Sequence, residues 1–185
     1  MPELPEVETV KESLKLRLNN KKIIRTRVLW DNIIAYPSKE EFIKETANKC
    51  INDVKRRGKF LMFDLDDYYL LSHLRMEGKY FFKTKDDDIN KHEHVIFDLN
   101  DGSELRYMDT RKFGKMYLIK KENIDKIGPL VELGLEPWDD NLTSEYLLDK
   151  YKKKKLPIKS VLLDQSIIVG IGNIYADEIL FLSKI

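Results

Sequence analysis

The sequence predicts an α+β protein in which an N-terminal helix and a β-sandwich precede a smaller helical domain. Three observations carry that expectation. Residues 4–18 repeat apolar side chains at helical spacing, with Val7, Val10, Leu14 and Leu18 on one face. From about Lys21 to Lys121 the chain breaks into short runs rich in β-branched and aromatic residues, separated by turn material. Beyond Gly134–Asp140 the texture returns to helix, which places a boundary near residue 136 and divides the chain into 1–135 and 136–185.

Pro5 suits the first turn of the first helix, and Glu6 and Glu8 sit at its positive end. Strands are expected at Ile23–Trp30, Phe60–Leu65, Tyr68–Leu74, Lys79–Lys83, Val95–Leu99 and Lys115–Ile119. Asp66-Asp67 and Asn100-Asp101-Gly102 serve as turns between them. Glu40–Asn48 reads as a helix inserted between strands. In the second domain Asn141 is expected to cap a helix over 142–151, Pro157 to open one over 158–163, and Asn173 to start a third. The apolar ending (Ile179, Leu180, Leu182, Ile185), with no stop signal, fits either a chain cut short or a terminal helix docked on its own domain.

Hydrophobic residues make up 42% and charged residues 35%, a globular composition rather than a disordered or membrane-embedded one. A cytoplasmic bacterial enzyme is the expected setting. Cys50 is the single cysteine, which excludes a disulfide framework and a four-cysteine zinc site within these residues. The formal net charge of +1 gives no hint of a nucleic-acid partner, but the distribution does: Lys150 to Ser160 holds six lysines and no acid.

The first candidate site is Pro2-Glu3-Leu4-Pro5-Glu6. Removal of Met1 exposes a secondary amine at Pro2, and an α-amino group titrates near about 8, so part of it is neutral at physiological pH. The positive end of a following helix disfavours its protonated form further. A neutral amine can attack C1′ of a sugar and form an iminium, with Glu3 and Glu6 near enough in sequence to move protons. The same residues also fit a plain helix start. Lys59 follows Arg56-Arg57-Gly58 and fits a solvated strand edge equally well. His73 fits a packed core or a contact surface. Lys91-His-Glu-His94 is too sparse for zinc without further ligands. Lys152–Lys155 and Lys159 fit a solvated helix face. They also fit a phosphate-binding surface, because the Gly170–Asn173 turn opens a helix whose backbone N–H groups can approach an anion.

These segments together resemble the formamidopyrimidine-DNA glycosylase family. The resemblance is carried by Met1-Pro-Glu-Leu-Pro-Glu-Val-Glu-Thr9, Arg57-Gly-Lys-Phe-Leu61, Ser72-His-Leu-Arg-Met-Glu-Gly-Lys79, Asp109-Thr-Arg-Lys-Phe-Gly114 and Gly170-Ile-Gly-Asn-Ile-Tyr-Ala-Asp-Glu178, in the family order, with Leu135-Glu-Pro at the domain junction. It implies a β-sandwich followed by a helix–two-turns–helix domain, with damaged double-stranded DNA in the cleft; a monomer is the simplest expectation, and no apolar run approaches the length of a bilayer span. It implies a bifunctional enzyme of base excision repair that removes oxidised purines (8-oxoguanine, formamidopyrimidine) and then cleaves the strand by β-elimination. In that family's terms Pro2 is the Schiff-base nucleophile, Glu3 the acid that protonates the opening sugar, Glu6 a supporting carboxylate and Lys59 a phosphate contact and proton donor. Met76, Arg111 and Phe113 match the trio that fills the void left by an extruded nucleotide, whose unstacking costs a few kcal/mol. His73, His92, Lys155, Lys159 and Asn173 match DNA contacts.

The resemblance also implies one zinc ion in a C-terminal finger, for which these residues supply no ligand set; the finger and its arginine have no counterpart here. The 185-residue chain is therefore expected to hold no zinc, to bind damaged duplex weakly and to turn over poorly. Two alternatives share the same residues: an endonuclease VIII-like glycosylase acting on oxidised pyrimidines, and a DNA-binding fragment with weak catalysis.

Overall fold

The computed structural model describes residues 1–185. Helix α1 spans Leu4–Leu18, as its periodicity predicts, and buries Val7, Leu14 and Leu18. Its start is a capping box: the Glu3 backbone N–H donates to Glu6 at 2.9 Å.

Nine strands follow: β1 (Lys21–Val28), β2 (Ile34–Tyr36), β3 (Cys50–Arg57), β4 (Phe60–Leu65), β5 (Tyr68–His73), β6 (Lys79–Thr84), β7 (Glu93–Leu99), β8 (Ser103–Met108) and β9 (Lys115–Lys120). Helix α2 (Lys39–Thr46), capped by Ser38, lies between β2 and β3. Hydrogen bonds link the strands in the order β2-β9-β5-β4-β3-β1-β7-β8-β6.

That ladder is folded over at β1, whose Lys21 and Lys22 pair with β3 while Ile23 to Val28 pair with β7 across a register shift. Strands β4 and β6 stand five places apart in the order, a separation of about 24 Å in a flat sheet. Yet the rings of Phe63 (β4) and Tyr80 (β6) lie 5.6 Å apart, and Tyr80 Oη donates to Ser72 Oγ of β5 at 2.7 Å. The two halves therefore face each other over one core that includes Phe63, Leu65, Phe97, Leu105 and Tyr107, closed at one side by α1.

Three strands escape the sequence pattern. Strand β3 has a bulge between Ile51 and Asp53, which puts Ile51 and Val54 inward at a spacing of three and breaks the period of two. Strand β8 buries Glu104 and Arg106, charged residues that disguise it. Strand β2 has three residues and is merely an edge.

The helical part holds α3 (Ser144–Tyr151), α4 (Ile158–Leu162) and α5 (Asn173–Ser183) around a small core of Val161, Leu162, Ile167, Ile168, Ile171 and Ala176. Helix α3 is capped by Thr143, whose Oγ1 accepts from the Tyr146 N–H at 3.1 Å, rather than by Asn141. The Asn141 amide donates to Asp139 instead. Helix α5 begins at Asn173, but its capping position is Gly172. No helix is long and apolar enough to cross a membrane.

The junction between the two parts is polar and dense. Glu136 accepts from the Gly58 N–H at 2.8 Å and from Arg56 and Arg57. Leu135 bridges to the second part through Ile167 and Val169 at 3.0 and 2.9 Å.

Phe63 is 1% exposed and touches both halves of the sheet. Phe63→Ala is expected to cost about 3–5 kcal/mol, read as a lower urea midpoint with an unchanged slope.

Candidate active site

The first residues of the chain end against the turn that opens α5. The Glu3 carboxylate is 2% exposed and accepts three backbone N–H groups, from Gly172 (2.8 Å), Ile174 (2.8 Å) and Tyr175 (3.2 Å). Leu4 N–H donates to Gly170 O at 3.1 Å. Helix N-termini leave such N–H groups without an internal partner, and a carboxylate satisfies them in line with the helix dipole. From the glycine-bearing turn alone these N–H groups are expected to face a DNA phosphate. The fold gives three of them to Glu3, and the side chain of Asn173, exposed at the first turn, is what remains turned outward.

Lys59 arrives at the same place from the β3–β4 turn, where Gly58 adopts a left-handed φ of 55°. Its side chain is buried, and Nζ donates to Ile171 O at 2.7 Å. Burial pushes its ammonium below the ordinary lysine range; the Glu3 charge opposes that shift and the Arg75 charge adds to it. The solvated strand edge is thus excluded for Lys59.

Pro2, Glu6, Met76 and Glu77 line one end of a groove of about 650 Å³ that runs along α1 to Arg17. Met76 also lines a second, shallower hollow together with Met1, Arg75, Arg111 and Phe113. Met76 and Phe113 are 39% and 51% exposed, a wasteful arrangement for core residues. The Arg111 guanidinium lies 5.0 Å from the Phe113 ring centre. The three side chains named as a void-filling trio thus sit together beside the groove that holds Pro2.

The turn that presents Arg111 and Phe113 is built by Asp109, a residue additional to the candidates expected from sequence. Its buried carboxylate accepts from the Arg111 N–H at 3.0 Å and the Gly114 N–H at 2.7 Å. A Cβ on Gly114 would stand 1.8 Å from Tyr107 Oη, so the turn needs glycine there for close approach. The signal was available: an Asp followed by a short polar run and Gly is a side-chain-closed turn. His92 joins this turn through its backbone, accepting from the Asp109 N–H at 3.0 Å. The neighbouring His94 Nε2 pairs with Asp109 O at 2.8 Å.

His73 is buried at the end of β5, edge-on to Phe60 with centroids 4.7 Å apart. Its Nδ1 accepts from the Arg75 N–H at 3.0 Å. Burial pushes its imidazole down to about 3, with the charges of Arg75 and Lys59 adding to the effect. Of the lysine run, Lys154 pairs with Asp164 at 2.8 Å and Lys159 with Asp177 at 2.6 Å, while Lys155 is exposed and unpaired. No group of three or more His, Cys, Asp or Glu side chains comes together to hold a metal, so these residues do not fit the implied zinc.

Residues 1–116 match the model of the formamidopyrimidine-DNA glycosylase N-terminal domain, and residues 133–185 match that of its H2TH domain. The chain belongs to the formamidopyrimidine-DNA glycosylase family. It is 48% identical over 186 residues to the formamidopyrimidine-DNA glycosylase of Cytobacillus firmus, covering 100% of this chain and 68% of the relative. To that of Bacillus licheniformis it is 50% identical over 183 residues, covering 98% and 66%. Among solved structures it is similar to the Lactococcus lactis Fpg in complex with DNA containing an abasic site, with a TM-score of 0.92, 38% identity, and 99% and 67% coverage. A complex of LlFpg with DNA containing N7-benzyl-Fapy-dG gives a TM-score of 0.93 at 39% identity, with 100% and 68% coverage. The chain thus spans about two thirds of the length of these family members.

Because the folded His73 stays neutral far below the value of 6.5 that it has when unfolded, the unfolded chain binds the extra proton as pH falls. Stability is therefore present above 6.5 and lost progressively down to about 3. The difference between wild type and His73→Gln in urea midpoint is expected to shrink steadily over that window. A difference that stays flat with pH counts against a buried neutral imidazole.

Proposed function

We propose that this chain carries the catalytic groups of a DNA glycosylase and abasic-site lyase of base excision repair, working on oxidised purines in double-stranded DNA as a monomer. The observation that supports it most is that Pro2, directly next in the chain to Glu3, lines with Glu6 a groove bordered by Met76; Glu3 meets the head of α5 where Lys59 also bonds, and Met76 also lines a hollow with Arg111 and Phe113. We place the division of labour at 135/136, with the sandwich supplying the reacting groups and the helical part gripping the backbone.

Once Met1 is removed, the Pro2 nitrogen attacks C1′ of the extruded nucleotide. The bond from C1′ to the base nitrogen breaks, the departing base takes up the proton that the amine loses, and the sugar ring opens to an iminium as its ring oxygen takes a second proton. Glu3 delivers that proton. Its orientation is set by the amides of Gly172, Ile174 and Tyr175. Lys59, whose ammonium is made more acidic by burial, hands the proton to the Glu3 carboxylate before that delivery. A base, with water sufficient for the acidified α-position of the iminium, takes the C2′ proton; its electron pair forms the C2′–C3′ double bond, and the C3′–O bond breaks to release the 3′ phosphate by β-elimination. Glu6, tied to the Glu3 N–H, keeps the chain end in the helical register that aims Pro2 into the groove.

Met76 and Phe113 wedge into the vacated stack, and Arg111 bonds the orphaned base opposite. His92, Lys155, Lys159 and the Asn173 amide meet phosphates, which fixes position rather than sequence preference. His73 acts from beneath, through the Arg75 N–H, to hold the turn that leads to Met76.

Borohydride trapping on duplex with an abasic site tests the reading. A covalent adduct is expected with Pro2 exposed, and none with Pro2→Gly or with Met1 retained. Tight duplex binding without any adduct would leave a DNA-binding module instead. A panel of 8-oxoguanine, formamidopyrimidine and thymine glycol duplexes is expected to favour the two purine lesions; preference for thymine glycol would reassign the chain to the pyrimidine-directed class.

A further inference from the structure

We propose that Gln165 is a positioning residue for Lys59, acting through the Ile171 carbonyl that both side chains share; the inference rests on the reading of Lys59 as part of the reacting site. Gln165 lies on the segment between α4 and α5, half-buried, and all of its side-chain bonds stay within that segment. Nε2 donates to Leu163 O at 3.0 Å and to Ile171 O at 2.9 Å, and Oε1 accepts from the Gly170 N–H at 2.9 Å. A single amide thereby closes the loop from Leu163 to Ile171 and leaves neither of its polar atoms unsatisfied.

That loop has three tasks at the junction. Gly170 O receives the Leu4 N–H, Ile171 O receives Lys59 Nζ, and Gly172 N–H donates to Glu3. Gly170 has φ of 92°, open to glycine but strained for other residues, and a Cβ there would meet Leu4 at 2.3 Å, so the loop's close approach to α1 depends on glycine at that point. Ile171 O is the only acceptor that reaches the Lys59 ammonium, and Gln165 fixes where that oxygen points. The charged or titratable groups that face Lys59 are Glu3 at the head of α1, and Arg75 and His73 at the end of β5. Gln165 is neutral, so it acts by orientation rather than by charge.

Gln165→Leu keeps the bulk and removes all three bonds. Freed from its clip, Ile171 O turns from Lys59, and a buried ammonium that loses its acceptor gives up its proton more readily. Gln165→Glu keeps the acceptor for Gly170 but turns an oxygen toward Ile171 O and adds a negative charge, which favours the ammonium. NMR titration of the 185-residue chain labelled with carbon-13 lysine, with Lys59 assigned by the signal lost in Lys59→Arg, reads both effects. The Lys59 midpoint is expected to fall by about half a pH unit or more in Gln165→Leu and to rise by a similar amount in Gln165→Glu.

A purely structural role gives another pattern. Loosening the junction admits water and moves the midpoint up toward ordinary lysine in both variants. That result, or an unchanged midpoint in Gln165→Leu, overturns the proposal. Borohydride trapping reports Pro2 independently: failure of the wild-type chain to trap counts against the function proposed above, and leaves the Gln165 result standing as a fact about Lys59.

Discussion

The carboxylate of Glu3 on the amides of Gly172, Ile174 and Tyr175 is the contact on which the rest of the molecule depends. It joins residues at opposite ends of the chain, so the closure entropy of nearly the whole polypeptide is set against it. Hydrogen bonds to a charged group contribute about 1.5–3 kcal/mol each, and three converge here. Bare backbone makes that convergence possible. A Cβ at Gly172 would stand 2.4 Å from Glu3 Cδ, so any side chain there would push the carboxylate off the helix. The Gly-x-Gly signature thus serves an internal anion, the Glu3 carboxylate.

Structure and proposed chemistry share the same atoms. A buried lysine and a buried glutamate are costly to desolvate unless every polar atom is partnered. Lys59 finds Ile171 O, Glu3 finds the head of α5, and Arg56 and Arg57 find Glu136 across the junction. The site is therefore satisfied before DNA arrives, and little reorganisation is needed when it does. The side chains around the second hollow follow the opposite rule. Met76, Arg111 and Phe113 are left exposed on turns that are themselves rigid, because Asp109 and the Arg75–His73 bond hold the backbone while the tips remain free. Rigid bases with unsatisfied tips are what a wedge into stacked bases requires.

Much of the fold was legible because it obeys local periodicity. Residues 4–18 could be read directly because one face is buried at helical intervals, and Phe60–Leu65 because a short apolar run is buried on both faces. The strands that went unnamed are those where tertiary context overrides pattern. In β8, Arg106 is buried only because Glu93 and Glu104 meet it inside the sheet, at 2.9 and 2.7 Å. In β3 a bulge changes the spacing. The family signature reached the site residues, but not what holds them. Nothing in Asp164-Gln165-Ser166 indicates that the amide closes back on Ile171, since that pairing depends on the path of the loop rather than on any spacing. Thr143 took the cap expected of Asn141 for a similar reason: Asp139 already engages the Asn141 side chain.

The near-neutral charge of the chain also acquires a physical meaning. The lysine run looked like a block of free cations, yet Lys154 and Lys159 are paired with Asp164 and Asp177 in the folded chain. A phosphate that meets these lysines must replace a carboxylate, so it gains a difference between two ion pairs rather than the full attraction of a bare ammonium. Counterion release follows the same logic, because a lysine neutralised from within brings less net charge to the backbone than its count suggests. Any attraction toward DNA then falls to cations without such partners, Lys153 and Lys155 of the run among them.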